Sequence, residues 1–369
     1  MRPATRVSAL LKRKQPKEQV IGCFPPYPPV ELFAAMGALP SVLWNLRGSL
    51  DDFTKADEHV QNYACGIARE LVQFHLSEAG SLVDGIFSYN ACDTLRNTPE
   101  IIAAANIEAG RAIHMLRMHV PQVDRSQSNP DRYLRKEIAR LIEAVEIAFD
   151  TRFSPERFFQ TTKRYGQMRA LCREAESLVA QGRLSFGAFC GVVLQGHLLP
   201  VKEQIENLTG LIATGNGRKS GAGKRVLVSG IMPPPAPVVR AMEASGLCVA
   251  ANDIASLARS YAYSPAATED PGDYYLDFFA NRFPCTTLLY RADDRVEAFL
   301  RLVTDARARG VIFSGEKFCE HEYFEFPYLE KRLRALSIPT LFLEFSVDDA
   351  ENIGAYATRL EAFAEMIEP

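Results

Sequence analysis

From Arg225 to its end the chain takes turns between short apolar runs and helix-length segments. Strand patterns at Arg225–Ser229, Leu247–Ala251, Val311–Ser314 and Thr340–Phe345 are separated by helical patterns at Pro235–Ser245, 271–281, Arg295–Arg309 and Phe326–Leu336, and Ala350–Ile367 closes the chain. Strands joined through helices cannot pair as hairpins, so they form βαβ units and a parallel sheet. The beginning of the chain repeats the code more faintly. Val60, Tyr63, Ala64, Ile67 and Leu71 recur at helical spacing and predict a helix over 55–76. Gly85–Tyr89 reads as a strand, Asn90-Ala91-Cys92-Asp93 as a short loop into a helix through Ile101, and His114–Val120 as a second strand. Between the two ends, Tyr133–Phe149, Pro155–Gln181, Phe186–Leu199 and Val201–Ala213 are helical in pattern with no strand among them. The reading is an α/β fold: two Rossmann-like lobes with parallel sheets, residues 1–130 and 216–369, flanking a helical segment and glycine-rich linker at 131–215.

A length of 369 residues suits two or three domains. With 47% apolar and 24% charged residues the chain is neither disordered nor fibrous. The charge sum of 42 − 45 = −3 gives no electrostatic reason to expect a nucleic-acid partner. No run approaches the ~18 apolar residues of a membrane span. No charged head, apolar stretch and small-residue cleavage site mark a secretory signal, and the basic residues of 1–17 (Arg2, Arg6, Lys12, Arg13, Lys14, Lys17) read as a solvated tail, with a transit peptide as the alternative. The expected compartment is the reducing cytoplasm, where cysteines are buried thiols, catalysts or metal ligands rather than disulfides.

Four constellations are set aside. The run Thr214–Lys224 is rich in glycine, but Arg218 stands where a phosphate loop needs its first glycine and Arg225 where it needs a hydroxyl, so it reads as a linker. The six histidines form no HExxH and no close pair, which argues against zinc; His321, two residues from Cys319, is the one to watch. Neither a Gly-x-Ser-x-Gly elbow nor a CxxC occurs.

The cysteines carry more. Cys172, Cys190 and Cys248 lie in apolar helix or strand patterns, as buried structural thiols do. Cys65 sits among Gln61, Asn62 and Arg69, Cys92 precedes Asp93 at a helix start, and Cys319 lies in Gly-Glu-Lys-Phe-Cys-Glu-His-Glu. A helix N-terminus and nearby cations lower a thiol's pKa, and the thiolate is the ligand form. The segments Asp84–Ser88 and Arg309–Ser314 echo each other: each is a short buried strand entered through glycine, with Cys92 or Cys319 a few residues later. Ligands of open α/β sheets bind beyond the carboxyl ends of strands, so two such cysteines could face one cleft. Three long-range thiolates suit an iron–sulfur cluster with one iron open, although spacing alone leaves buried thiols as an alternative.

These same residues carry a resemblance that covers nearly the whole chain. Gly22-Cys23-Phe24-Pro25-Pro26-Tyr27-Pro28-Pro29-Val30-Glu31-Leu32 with Ala35–Pro40, Cys65, Ser88–Arg96, Arg225–Gly230, Ala251-Asn252-Asp253 and Gly315–Glu320 resemble the cluster-binding subunit of the 2-hydroxyacyl-CoA dehydratase and benzoyl-CoA reductase family. The resemblance implies that Cys65, Cys92 and Cys319 hold a [4Fe-4S] cluster with its fourth iron site open. It implies an acyl-CoA substrate, a homologous second subunit or a homodimer, and a separate ATP-dependent iron–sulfur activator protein. In the dehydratases one electron converts the thioester to a ketyl radical anion, hydroxide leaves from the α carbon, and the electron is recovered. That route avoids direct removal of a very weakly acidic β proton.

The N-terminal stretch departs from the dehydratase pattern. Pro26 stands where many dehydratases carry serine, while Glu31 matches the second acid of their Cys-Ser-Tyr-Val-Pro-Glu-Glu and is the catalytic candidate, to position substrate or a proton, with a helix-entry charge as the alternative. The Phe-Pro-x-Tyr-x-Pro variant is closer to benzoyl-CoA reductase-like members and to double-cubane proteins, whose cofactor is an [8Fe-9S] cluster. Cys23 and Cys285 are the further cysteines such a cluster would draw on, against their reading as ordinary buried thiols. The leading expectation is a dehydratase subunit. The alternatives are a low-potential reductase subunit, a non-catalytic partner subunit, and a metal-free α/β binding module.

Overall fold

The computed structural model of the chain describes residues 19–44, 46, 50, 52–123, 129–216, 223–288, 292–346 and 353–367. The basic segment 1–17 and positions 217–222 of the glycine run lie outside the described residues.

Two four-stranded sheets form, and every neighbouring pair of strands is parallel. The first contains β1 (Gln19–Cys23), β2 (Ala38–Val42), β3 (Gly85–Tyr89) and β4 (His114–Met118), in the order β2-β1-β3-β4. The second contains β5 (Lys224–Gly230), β6 (Leu247–Ile254), β7 (Gly310–Glu316) and β8 (Thr340–Phe345), in the order β6-β5-β7-β8. The two orders are the same. In each sheet the connections reverse direction between the first and third strands in sequence, the switch point at which open α/β sheets form a crevice. The architecture is α/β with two Rossmann-like lobes.

The chain divides into two compact units. One comprises Met1–Gln167, Gln195–Glu203 and Tyr263–Arg282; the other comprises Met168–Leu194, Gln204–Ala262 and Phe283–Pro369. The central strands β3 and β7 are buried along their whole length, as strands covered by helices on both faces must be. In the second unit Leu227, Val311 and Phe313 pack under Phe299, Val303, Leu329 and Leu333. Each such side chain contributes about 1.5–3 kcal/mol by leaving water. Gly230 closes β5, where an added Cβ would lie 2.3 Å from the Ser314 carbonyl oxygen.

The four middle helices, Pro130–Phe149, Pro155–Ala180, Phe186–Gly196 and Val201–Gly215, follow the periodicity closely. Three elements differ from the pattern. β1 and β2 carry little strand signal, and β2 contains Pro40; proline is tolerated there because β2 is the edge of its sheet among the described residues. The helix expected over 55–76 is broken into Thr54–Asp57 and Gly66–Leu76, and Tyr63, counted on its apolar face, is 65% exposed. The helix expected from Phe326 begins six residues earlier, at Glu320, because the polar stretch after Phe318 is helical and Pro327 is accommodated inside it.

Candidate functional site

The break at residues 58–65 changes the position of Cys65. It is extended (φ −58°, ψ 145°) and is the residue immediately before helix Gly66–Leu76. Cys92 stands in the same relation to helix Asp93–Glu108, and Cys319 to helix Glu320–Ala335. A thiolate at such a position faces the unpaired backbone N–H groups of a first helical turn, which favour negative charge. Cys65 is nearly buried, while Cys92 and Cys319 are partly exposed.

In the first unit the helix entered at Cys65 lies in the connection from β2 to β3, and the helix entered at Cys92 leads from β3 to β4. Both return the chain from the carboxyl edge of a parallel sheet, so both begin at that edge. The two helices pack against each other, which brings Cys65 and Cys92 to the same edge on neighbouring helices. The Leu95 N–H donates to Cys92 Sγ at 3.3 Å, so the sulfur itself caps its helix. In the second unit Cys319 follows β7 through a tight turn in which Phe318 is left-handed (φ 63°) and the Cys319 N–H donates to the Glu316 carbonyl at 3.0 Å.

Carboxylates organise the surroundings of both positions. Glu31 lies in the first turn of helix Val30–Ala35, just beyond β1, and is 1% exposed. Its two oxygens accept hydrogen bonds from the Tyr274 and Tyr275 hydroxyls, each at 3.1 Å, and Tyr275 in turn accepts the Leu32 N–H. Burial and the neighbouring Glu31 charge hold the Tyr275 phenol well above its ordinary range, so it stays a donor. In the second unit Glu322, three residues into the Cys319 helix, accepts the N–H of Ile231 and of Glu316, each at 2.7 Å, and thereby ties that helix to the ends of β5 and β7. Burial raises its pKa to about 7.

Beneath it Asp253 is fully buried and takes Arg259 Nε at 2.8 Å, Arg295 Nη2 at 2.6 Å and Ser229 Oγ at 2.8 Å. Arg295 continues to Glu325 on the Cys319 helix at 2.6 Å. Burial pushes the Asp253 pKa up, but the two guanidiniums outweigh it and hold the carboxyl below its usual range. Nothing in sequence spacing marked Glu322, Asp253, Arg259 or Arg295 as one group. Only Asp253 was singled out, as part of the Ala251-Asn252-Asp253 stretch of the resemblance.

The other cysteines are enclosed except Cys248, which was expected to be buried but is partly exposed on β6, an edge strand among the described residues. Cys23 ends β1 fully buried, and burial drives its pKa well up. Cys285 is fully buried, with Arg259 Nη1 at 3.2 Å and Thr287 Oγ1 at 3.4 Å. Burial pushes the Cys172 thiol to about 12 and the Cys190 thiol higher still. None of the eight cysteines is in a disulfide. His75 is buried, with Nδ1 2.8 Å from the Leu71 carbonyl, and burial lowers its pKa to about 4, so it is a neutral core histidine. Among the described residues no three His, Cys, Asp or Glu side chains converge within one grouping fit for a metal ion. A cleft of about 390 Å³, bordered by Gln19, Asp84, Asn106, Arg111, His114 and Phe149, lies at the amino ends of β1, β3 and β4, the end away from Cys92. No described helix is long and apolar enough to cross a membrane.

Residues 25–367 match the family model described as 2-hydroxyglutaryl-CoA dehydratase, D-component. The chain belongs to that family. Among its relatives is the beta subunit of (R)-2-hydroxyglutaryl-CoA dehydratase from Acidaminococcus fermentans, 29% identical over 99% of this chain and 96% of the relative. The (R)-phenyllactyl-CoA dehydratase beta subunit of Clostridium sporogenes is 24% identical over 96% and 93%. A benzoyl-CoA reductase subunit of Thauera aromatica is 25% identical over 93% and 88%. The D-component chain is thus a dehydratase-type enzyme subunit, and the resemblance drawn from Cys92, Cys319 and their neighbours stands.

Proposed function

We propose that this D-component chain is the [4Fe-4S]-binding subunit of a 2-hydroxyacyl-CoA dehydratase that eliminates water from its substrate through a ketyl radical after one-electron activation. The observation that carries the reading is that each of Cys65, Cys92 and Cys319 opens a helix. Three soft sulfur donors, each on the residue before a helix, are the donor chemistry such a cluster requires. When bound, the cluster supplies a single low-potential electron to the thioester.

The chain's own residues do the rest. Cys65, Cys92 and Cys319 would hold the cluster and leave its fourth iron open. Glu31 keeps a carboxylate at the carboxyl edge of the first sheet, where Tyr274 and Tyr275 fix its orientation for positioning substrate or a proton. The partners are an acyl-CoA, a homologous or identical second subunit and an ATP-dependent activator, and the setting is a reducing cytoplasm. Benzoyl-CoA reductase-like chemistry is the second reading, favoured by the Thauera relative and by the Phe-Pro-x-Tyr-x-Pro stretch at Phe24–Pro29.

The test is iron and acid-labile sulfide on chain purified without oxygen, with acyl-CoA turnover measured alongside an activator. The expected result is about four irons per chain, lost in Cys92→Ala and Cys319→Ala, together with dehydration of a 2-hydroxyacyl-CoA. About eight irons would instead move the assignment to a double-cubane reductase and to Cys23 and Cys285. Full iron content in both alanine variants, or no iron after anaerobic reconstitution, would overturn the cluster reading.

A further inference from the structure

Between β3 and Cys92 stand two residues, and the first of them is tied to the neighbouring strand. β3 and β4 stay in register to their ends, where Tyr89 pairs with Met118. There the backbone turns: the Ala91 N–H donates to the Tyr89 carbonyl at 2.8 Å, a three-residue turn centred on Asn90. The Asn90 side chain carries the pairing onward. Its Oδ1 accepts the Val120 N–H at 2.8 Å, and its Nδ2 donates to the Val120 carbonyl at 3.0 Å. The Asn90 carbonyl accepts Gln122 Nε2 at 2.9 Å. One residue thus makes three bonds to the segment after β4.

That segment is itself fixed. The His119 N–H donates to Glu137 Oε2, on helix Pro130–Phe149, at 2.7 Å, and Val120 is fully buried. Buried backbone groups need partners. Val120 presents one donor and one acceptor, so its partner needs an acceptor and a donor side by side. A side-chain amide has both, whereas a carboxylate has acceptors alone. The second unit ties the same place by other means. Lys317 stands one residue after β7 and two before Cys319, and its N–H donates to the carbonyl of Phe345, the last residue of β8, at 2.7 Å. The backbone makes the tie there; in the first unit a side chain does.

We propose that Asn90 is a positioning residue for Cys92: by holding the turn to Val120 it fixes where the Cys92 sulfur stands, and with it how firmly that sulfur keeps a cluster. The inference rests on the proposed function for the cluster, while the placement of the sulfur stands on the hydrogen bonds themselves.

The experiment compares the wild type with Asn90→Ala and Asn90→Gln. Asn97→Ala is the control, since the Asn97 amide donates to the Asp93 carbonyl within the Cys92 helix, at 3.0 Å. On the metal-free chain, amide exchange is read at Val120 and at Leu95, whose N–H donates to Cys92 Sγ. On chain loaded with iron without oxygen, iron release to a chelator is timed, and the reduced cluster is recorded by electron paramagnetic resonance. In Asn90→Ala, Leu95 should exchange about tenfold faster and iron should leave about ten- to a hundredfold faster, the range for residues that orient a metal ligand. The resonance should change shape. Asn90→Gln keeps both bonding groups one methylene further out, so Val120 should stay protected while iron still leaves faster than in the wild type. Asn97→Ala should match the wild type.

The proposal is overturned if Asn90→Ala exposes Val120 yet leaves Leu95, iron release and the resonance unchanged, because the side chain then holds only the segment after β4. An equal effect from Asn97→Ala overturns it too. Should Asn90→Ala lose protection throughout β3 and β4, Asn90→Gln decides, and wild-type iron release and resonance there overturn it. A wild type that takes up no iron ends the cluster reading instead, and the Leu95 amide alone then decides whether Asn90 holds the sulfur.

Discussion

The two units solve one problem in two ways. Each lays four parallel strands in the same order, and each sends a cysteine into a helix after the third strand of its sheet. In the first unit the sulfur completes the turn itself, since Cys92 Sγ accepts the N–H three residues on. In the second, Cys319 makes no such cap, and the residue three further on, Glu322, ties the helix to β5 and β7 with its carboxylate. Below Glu322 lies the Asp253–Arg259–Arg295–Glu325 network; the Arg69–Asp57 pair of the first unit leaves Asp57 about half exposed. The difference teaches that the two cysteines share a place in the topology without sharing its support. The second unit uses buried charge to hold its cysteine turn, and the first uses local hydrogen bonds.

The largest way to break the comparison is Asp253→Ala. It leaves two buried guanidiniums without their carboxylate, which costs about 3–5 kcal/mol. Amide exchange of the metal-free chain should show that loss in β5, β6 and β7 while β1 and β3 keep their protection. Asp57→Ala should cost less than about 1 kcal/mol, because a half-exposed pair is screened by water. Equal losses for the two variants would erase the distinction.

The next effect is in pH, and its sign differs between the units. In the second, burial raises Glu176 to about 7. The folded chain keeps that proton where the unfolded chain gives it up, so the stability is present at low pH and is lost as pH rises from about 4.5 to 7. In the first, burial lowers His75 and His197 to about 4. There the unfolded chain takes a proton that the folded chain refuses, so stability is present above pH 6.5 and is lost as pH falls toward 4. Glu176→Gln should gain on the wild type with rising pH, by up to about 3 kcal/mol at pH 8. His75→Asn should gain on it with falling pH by a similar amount. Urea unfolding across pH reads both, and parallel curves for wild type and variant would refute the respective assignment.

Much of this was legible in the residues, for reasons that can be named. The alternation after Arg225 is a local pattern repeated four times, so the second sheet could be read strand by strand. Cys92 and Cys319 were visible because each follows a buried strand that glycine enters. β1 and β2 were not, since Gln19–Cys23 runs straight into Phe24-Pro25-Pro26 and Pro40 argues against a strand until β2 is known to be an edge. The position of Cys65 was misread for a related reason: Val60, Tyr63 and Ala64 keep helical spacing through a segment that is not helical. Glu322, Asp253, Arg259 and Arg295 come from separate segments, and only folding makes them one network.

A smaller effect comes from Glu31. With Glu31→Gln the two tyrosine hydroxyls keep their neighbour but lose its charge, at a cost of about 1–2 kcal/mol, the excess of a charge-assisted hydrogen bond over a neutral one. The Leu32 amide, bonded to Tyr275, should exchange faster. An unchanged Leu32 amide would mean that the tyrosines hold helix Val30–Ala35 without help from the carboxylate.

The smallest effect sharpens the comparison most, because it separates the two cysteines in the metal-free chain. If Cys92 Sγ caps its helix, Cys92→Ala should cost about 1 kcal/mol or less and speed exchange of the Leu95 amide, while Cys92→Ser, which keeps an acceptor, should restore protection. Cys319→Ala should leave the Glu322 amide as protected as before, because that amide bonds to the backbone carbonyl of residue 319 at 3.1 Å and Glu322 anchors the turn. A thiol that acts only as a ligand would give two silent alanine variants. A first turn held by sulfur in both units would give two that respond. One response and one silence is what the different hydrogen bonding of Cys92 and Cys319 requires.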